Sequence, residues 1–153
     1  EIEVLRASQK IGAAYVAFSP LARGFLTNKL HDTSGLAEHD LRQTMPRFDA
    51  ENYPSNVSLL PAYVKLAQRQ GCTPAQLALA WVIAQGDNII AIPGTQNLDH
   101  LEDNLGANDL MLDAEVEALL NALINEQTVH GERYSDKAQA SVTTEQFSAE
   151  HLQ

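Results

Sequence analysis

The sequence of 153 residues is short of the residue types that mark several common functions. It has one cysteine, Cys72, so no internal disulfide can form, and no Cys/His cluster has zinc-ligand spacing. Lys and Arg number 10 against 20 Asp and Glu, a formal charge of −10. That shortage of cations argues against a nucleic-acid or anionic-membrane partner, since both are bound by excess Lys and Arg. No apolar run approaches the ~20 residues that span a bilayer, and no signal-peptide pattern is present. A cytoplasmic protein is the expectation. Internal repeats and low-complexity segments are also missing. So is an initiator Met: the sequence starts at Glu1, with Ile2, Leu5 and Ile11 already on a helical stripe. A piece of a longer chain is expected.

What is present is a domain-sized apolar content, 44% of residues, and two strand-then-turn segments. Tyr15, Val16, Ala17 and Phe18 run into Ser19, Pro20, Leu21, Ala22, Arg23 and Gly24. Ile89, Ile90, Ala91 and Ile92 run into Pro93, Gly94, Thr95, Gln96 and Asn97. Each short apolar run fits a strand of a parallel sheet buried on both faces. Each turn offers small or hydroxyl-bearing residues whose backbone N–H groups can face an anion. The second turn also opens a helix, whose N-terminus favours phosphate. Paired phosphate-binding turns occur after the last two strands of (β/α)8 barrels. A phosphate-bearing cofactor is therefore the leading expectation.

Helices are expected over 1–10, closed near Gly12, and over 59–70, where Leu60, Tyr63, Val64 and Ala67 share a face before Gly71. Thr73 and Pro74 cap a third helix, apolar nearly all round, in which Trp81 reads as core. Asn97 and Asp113 cap two more, the last carrying Val116, Leu119, Leu120, Leu123 and Ile124 at helical spacing. Residues 20–57 lose periodicity and read as a long loop: a lid, a disordered segment or a surface insertion. Residues 127–153 read as a polar C-terminal tail behind a main body of 1–126. The element order is α/β with parallel strands. Two such strands cannot close a barrel, so the rest of the sheet is expected from elsewhere.

Three stretches in order resemble the aldo-keto reductase family. Residues 18–27, Phe-Ser-Pro-Leu-Ala-Arg-Gly-Phe-Leu-Thr, are similar to that family's seventh-strand motif. Residues 73–81 are similar to its seventh barrel helix, and 92–106 to its eighth-strand cofactor motif. The resemblance implies the C-terminal part of a (β/α)8 TIM barrel, from about the sixth helix onward. It implies an NADP-dependent reductase of aldehydes or ketones, with a small carbonyl substrate and the N-terminal half of the barrel as the missing partner.

By motif position, Phe18 would pack against the nicotinamide. Ser19, Pro20 and Leu21 would line the pyrophosphate and Arg23 would clamp it. Gly94 and Thr95 would hold the 2′-phosphate, and Asp103 and Asn104 the adenine. Gln96 and His100 stand where the family often places a basic residue, and Asp103 where Glu is commoner. These departures leave NAD open as the alternative cofactor. None of Tyr15, Tyr53, Tyr63, Tyr134 or the five His residues matches a catalytic motif of the family, so no catalytic residue is assigned. A non-catalytic cofactor-binding interaction subunit, or a truncated family member, is the competing reading.

Overall fold

Capping chemistry and apolar spacing set the helices, and the computed structural model describes residues 3–141. The order is α1 (Val4–Lys10), β1 (Tyr15–Phe18), α2 (Tyr53–Val57), α3 (Leu60–Gln70), α4 (Pro74–Ala84), β2 (Ile89–Ile92), α5 (Leu98–Leu105), α6 (Ala114–Leu123) and α7 (Asp136–Gln139). Thr73 caps α4 by accepting from the Gln76 N–H, and the Gln76 side chain accepts from the Thr73 N–H in return. Asn97 and Asp113 cap α5 and α6 in the expected way. Left-handed Gly71 closes α3. Among the described residues no helix is long and apolar enough to cross a membrane. Ile2 and His151 lie outside the described residues.

The two strands pair in parallel, with Tyr15 opposite Ile89 and Phe18 opposite Ile92. The expectation of strands buried on both faces does not hold within this chain. Tyr15, Ala17, Ile89 and Ala91 are half-buried, while Val16, Phe18, Ile90 and Ile92 are 46–53% exposed. Helix α4 packs on β2, and the alternating side chains of a strand point to opposite faces. Among the described residues the other face stays largely open, with the Arg133 guanidinium against Phe18.

Residues 20–57, expected as a long loop without periodicity, contain ordered short elements. They fold into 3-10 segments at Ala22–Thr27, Leu41–Thr44 and Pro46–Phe48 before α2. They contribute Phe25, Met45, Phe48 and Tyr53 to one core with Leu60, Tyr63, Leu77, Val116 and Leu120. The Phe48 ring stacks on Tyr53 at 5.5 Å, and Phe25 meets Tyr53 edge-on at 6.0 Å. Trp81 is half-buried against this core, and its indole N–H donates to Asn121 at 2.7 Å. Leu119, on the expected apolar stripe of α6, is exposed instead.

The start of the expected polar tail is likewise docked. Asn56, 4% exposed, donates to the Arg47 and His130 carbonyls and accepts from the His130 N–H at 2.8–3.0 Å. At Gly131 φ is +84°, and a Cβ would stand 2.8 Å from the Pro46 carbonyl carbon. A side chain there would collide with backbone, so the close approach requires glycine.

Candidate cofactor site

The register of the sheet decides which residues meet. Because Phe18 and Ile92 are partners, Ser19 and Pro93 leave neighbouring strands side by side, about 4.8 Å apart in the pairing direction. The first turn is strained. Ser19, Ala22 and Arg23 have φ of 51°, 48° and 55°, followed by Gly24 at 91°. For non-glycine residues this left-handed region is unfavourable, and such outliers persist only where surrounding contacts hold them. Here the Ala22 N–H donates to the Ser19 carbonyl and the Gly24 N–H to that of Leu21, both at 3.0 Å. Arg42 donates to the Arg23 carbonyl at 3.2 Å.

Arg42 is itself fixed by Asp40, whose carboxylate accepts from the Arg42 backbone N–H, Nε and Nη2 at 2.7–2.9 Å. Those hydrogen bonds take the Asp40 pKa from 3.8 down to about 2. A folded pKa below the unfolded one gives a contribution fully present above about pH 4 and lost as pH falls through 2. A carboxyl-carbon NMR titration should place the Asp40 midpoint near 2. A midpoint near 4 would mean that Arg42 is not held there in solution.

The second turn is open. Gly94, Thr95, Gln96 and His100 gather with Asn97 around one shallow depression. Among the described residues nothing lies within 4 Å of a Cβ built on Gly94, so no packing among them requires glycine there. The Thr95 hydroxyl accepts from the Asn97 N–H at 3.1 Å, and Asn97 accepts from the His100 N–H at 3.2 Å. Asp99 places a negative charge in the first turn of α5, which offsets the attraction of that helix end for anions.

The remaining expected site residues are placed differently. Phe18 is 46% exposed, with the Arg133 guanidinium 4.7 Å from its ring centre. Ser19 and Arg23 border a cavity beneath the first turn, apart from the depression at Gly94. Pro20 and Leu21 are half-buried and line neither space. The Asp103 carboxylate accepts from the Thr73 hydroxyl at 3.0–3.1 Å, tying α5 to the start of α4. Asn104 is buried at 7% exposure. Gly94, Thr95, Gln96 and His100 are thus brought together, whereas Asp103 and Asn104 face the fold.

No proton donor emerges among the buried phenols. Tyr63 donates to the Pro74 carbonyl at 2.5 Å and Tyr53 to that of Leu30 at 2.6 Å. Burial raises the pKa of both. Among the described residues no cluster of His, Cys, Asp and Glu has the arrangement of a metal site.

The model of the aldo/keto reductase family matches residues 1–125. Aldo-keto reductase str7 of Strobilurus tenacellus is 35% identical over 133 residues, covering 87% of this chain and 40% of that protein. Aldo-keto reductase yakc of Schizosaccharomyces pombe, whose name carries NADP(+), is 38% identical over 143 residues, 93% of this chain and 42% of its own length. The chain thus spans about two fifths of these curated relatives. Among solved structures, a glycerol dehydrogenase from Gluconobacter oxydans superposes with a TM-score of 0.73 at 24% identity, covering 80% of this chain and 37% of that one. A thermostable aldo-keto reductase in complex with epalrestat gives 0.54 at 28% identity, covering 80% and 34%. The fold is that of part of a (β/α) barrel, and the chain belongs to the aldo/keto reductase family.

Proposed function

We propose that this chain supplies the cofactor-binding side of an NADP-dependent reductase of aldehydes or ketones. The observation that carries the reading is the pairing of Phe18 with Ile92, which sets a strained turn and an open glycine turn side by side. A dinucleotide is long enough to use both.

Phe18, 46% exposed, is left accessible to the nicotinamide, with Arg133 beside its ring. Ser19, Pro20 and Leu21 border the pyrophosphate, and Arg23 supplies the positive charge. Gly94 allows close backbone approach by the 2′-phosphate, and Thr95, Gln96 and His100 line the same depression. Asp103 and Asn104 frame the adenine end through α5 rather than as outward-facing hydrogen-bonding groups. When bound, the cofactor supplies the hydride that reduces the carbonyl. The residue that protonates the carbonyl oxygen, and the rest of the barrel, lie outside this chain. The relative named for NADP(+) supports the cofactor.

The test is a fluorescence titration with NADPH on the protein at its natural length. Gly94→Val should weaken binding about tenfold or more by filling the approach to the backbone. Its melting temperature should change little, because a Cβ at Gly94 meets no described atom within 4 Å. Unchanged NADPH affinity in that variant would remove the second turn from the site.

A further inference from the structure

A cavity of about 200 Å³ lies beneath the first turn, between the 3-10 segments and residues 124–133. Its wall is largely apolar, with Phe25, Leu26, Phe48, Ile124 and Val129 on it. Yet Arg23, Arg47 and Arg133 also line it, three of the 10 cationic side chains in a chain with 20 acidic ones. The ion pairs formed by arginine among the described residues involve Arg6, Arg42 and Arg69; none of these three takes part.

The side chains of Arg47 and Arg133 are nevertheless held in place, and Arg23 is held by its backbone. The Arg47 Nε–H donates to the Gly131 carbonyl at 3.1 Å, which leaves its four other donors without a described acceptor. Arg133 lies 4.7 Å from the Phe18 ring centre and 5.4 Å from that of Tyr134. The backbone of Arg23 is fixed by the Arg42 contact to its carbonyl. Desolvation and the nearby Arg133 both lower the Arg47 pKa, and Glu132 only partly opposes them. Positioned cations that repel one another and keep free donors beside an apolar space are arranged to receive an anion with an apolar body.

We propose that Arg47 and Arg133 recognise the carboxylate of a short-chain organic acid whose apolar part fills this cavity, while Arg23 at its rim serves the pyrophosphate. Resting on the reading under Proposed function, this makes carbonyl compounds that also carry a carboxylate the favoured substrate class. The pocket is distinct from the depression at Gly94, so the 2′-phosphate is not its ligand. The dinucleotide's pyrophosphate is the other source of negative charge near Ser19 and Arg23, and the experiment separates the two.

Calorimetric titration of the protein at its natural length with hexanoate, in the presence and absence of saturating NADP(+), tests the proposal. Hexanoate should bind at least tenfold more tightly than hexanol, with an affinity altered less than about twofold by NADP(+). Arg133→Gln should weaken hexanoate about tenfold or more, with partial recovery in Arg133→Lys. Arg47→Gln also removes the Gly131 hydrogen bond; Arg133, whose side chain makes no hydrogen bond to a described residue, therefore carries the test. Equal binding of hexanol, no binding of hexanoate, or its displacement by NADP(+) or inorganic pyrophosphate would overturn the proposal. Displacement would assign the arginines to the cofactor's phosphates. Hexanoate binding to a protein that does not bind NADP(+) would keep the pocket and refute the cofactor reading. NADP(+) binding without hexanoate binding would do the reverse.

Discussion

Asn56→Ala lowers the free energy of unfolding by about 3 kcal/mol and loosens residues 128–134 from the body of the protein. The amide joins two segments that are 74 residues apart. Its Nδ2 donates to the carbonyls of Arg47 and His130, and its Oδ1 accepts from the His130 N–H. Each such hydrogen bond contributes on the order of 1 kcal/mol net, and alanine replaces none of them. His130 is exposed, so water can re-partner its groups, which bounds the loss from above. Asn56→Asp sharpens the test. The carboxylate still accepts from the His130 N–H but turns an oxygen toward two carbonyls, so it should be no better than alanine. A chemical-denaturation midpoint together with limited proteolysis beyond residue 126 reads both effects. A midpoint unchanged in both variants would mean that the apolar contacts of Val129 and Tyr134, not Asn56, hold this segment. The consequence reaches the site, because the same segment presents Arg133 to Phe18 and to the cavity.

That clasp left no trace readable in the sequence. A side chain bonded to backbone 74 residues away produces no periodicity, and the polar run at 130–133 looks like a solvated tail. The 3-10 segments were hidden for a related reason. Phe25, Met45, Phe48 and Tyr53 are spaced 20, 3 and 5 residues apart, which matches neither a helix nor a strand. The helices, by contrast, were legible because their signals are local. Thr73, Asn97 and Asp113 each cap a helix start through their own side chains. Leu60, Tyr63 and Ala67 repeat on one face. The candidate site was legible to the same extent: Gly94, Thr95, Gln96 and His100 are neighbours in sequence, in the turn and first residues of the helix it opens. The pocket residues Arg47 and Arg133 are far apart in the chain, so only the fold brings them to one cavity. By motif position Asp103 would hold the adenine, whereas its carboxylate accepts from the Thr73 hydroxyl.

The strands pose a different problem, and Ile90→Ala settles it. The run Ile-Ile-Ala-Ile is apolar at every position, so composition does not say which face is covered. In the chain described here Ile90 is 53% exposed, and with its partner Val16 and the next pair, Phe18 and Ile92, it forms a continuous apolar strip. Removing methyl groups from a side chain so exposed would change stability by no more than about 0.5 kcal/mol. The family's barrel gives the opposite sign of expectation: inward-facing side chains of successive strands stack in layers and fill the interior. If further strands complete the sheet in the protein at its natural length, Ile90 lies in that interior and its truncation costs about 3 kcal/mol, within the range for buried Ile→Ala. Ile89→Ala provides the internal standard, since Ile89 is already half-buried on the opposite face beside α4. Comparable losses for the two variants would place a second layer over the strip. A loss for Ile89 alone would leave the strip uncovered. The polypeptide of residues 1–153 expressed by itself should bind a hydrophobic dye and self-associate, because Val16, Phe18, Ile90 and Ile92 on the two-stranded sheet are 46–53% exposed. Sharp cooperative melting of that polypeptide as a monomer, with no dye bound, would refute the barrel-interior assignment of this face.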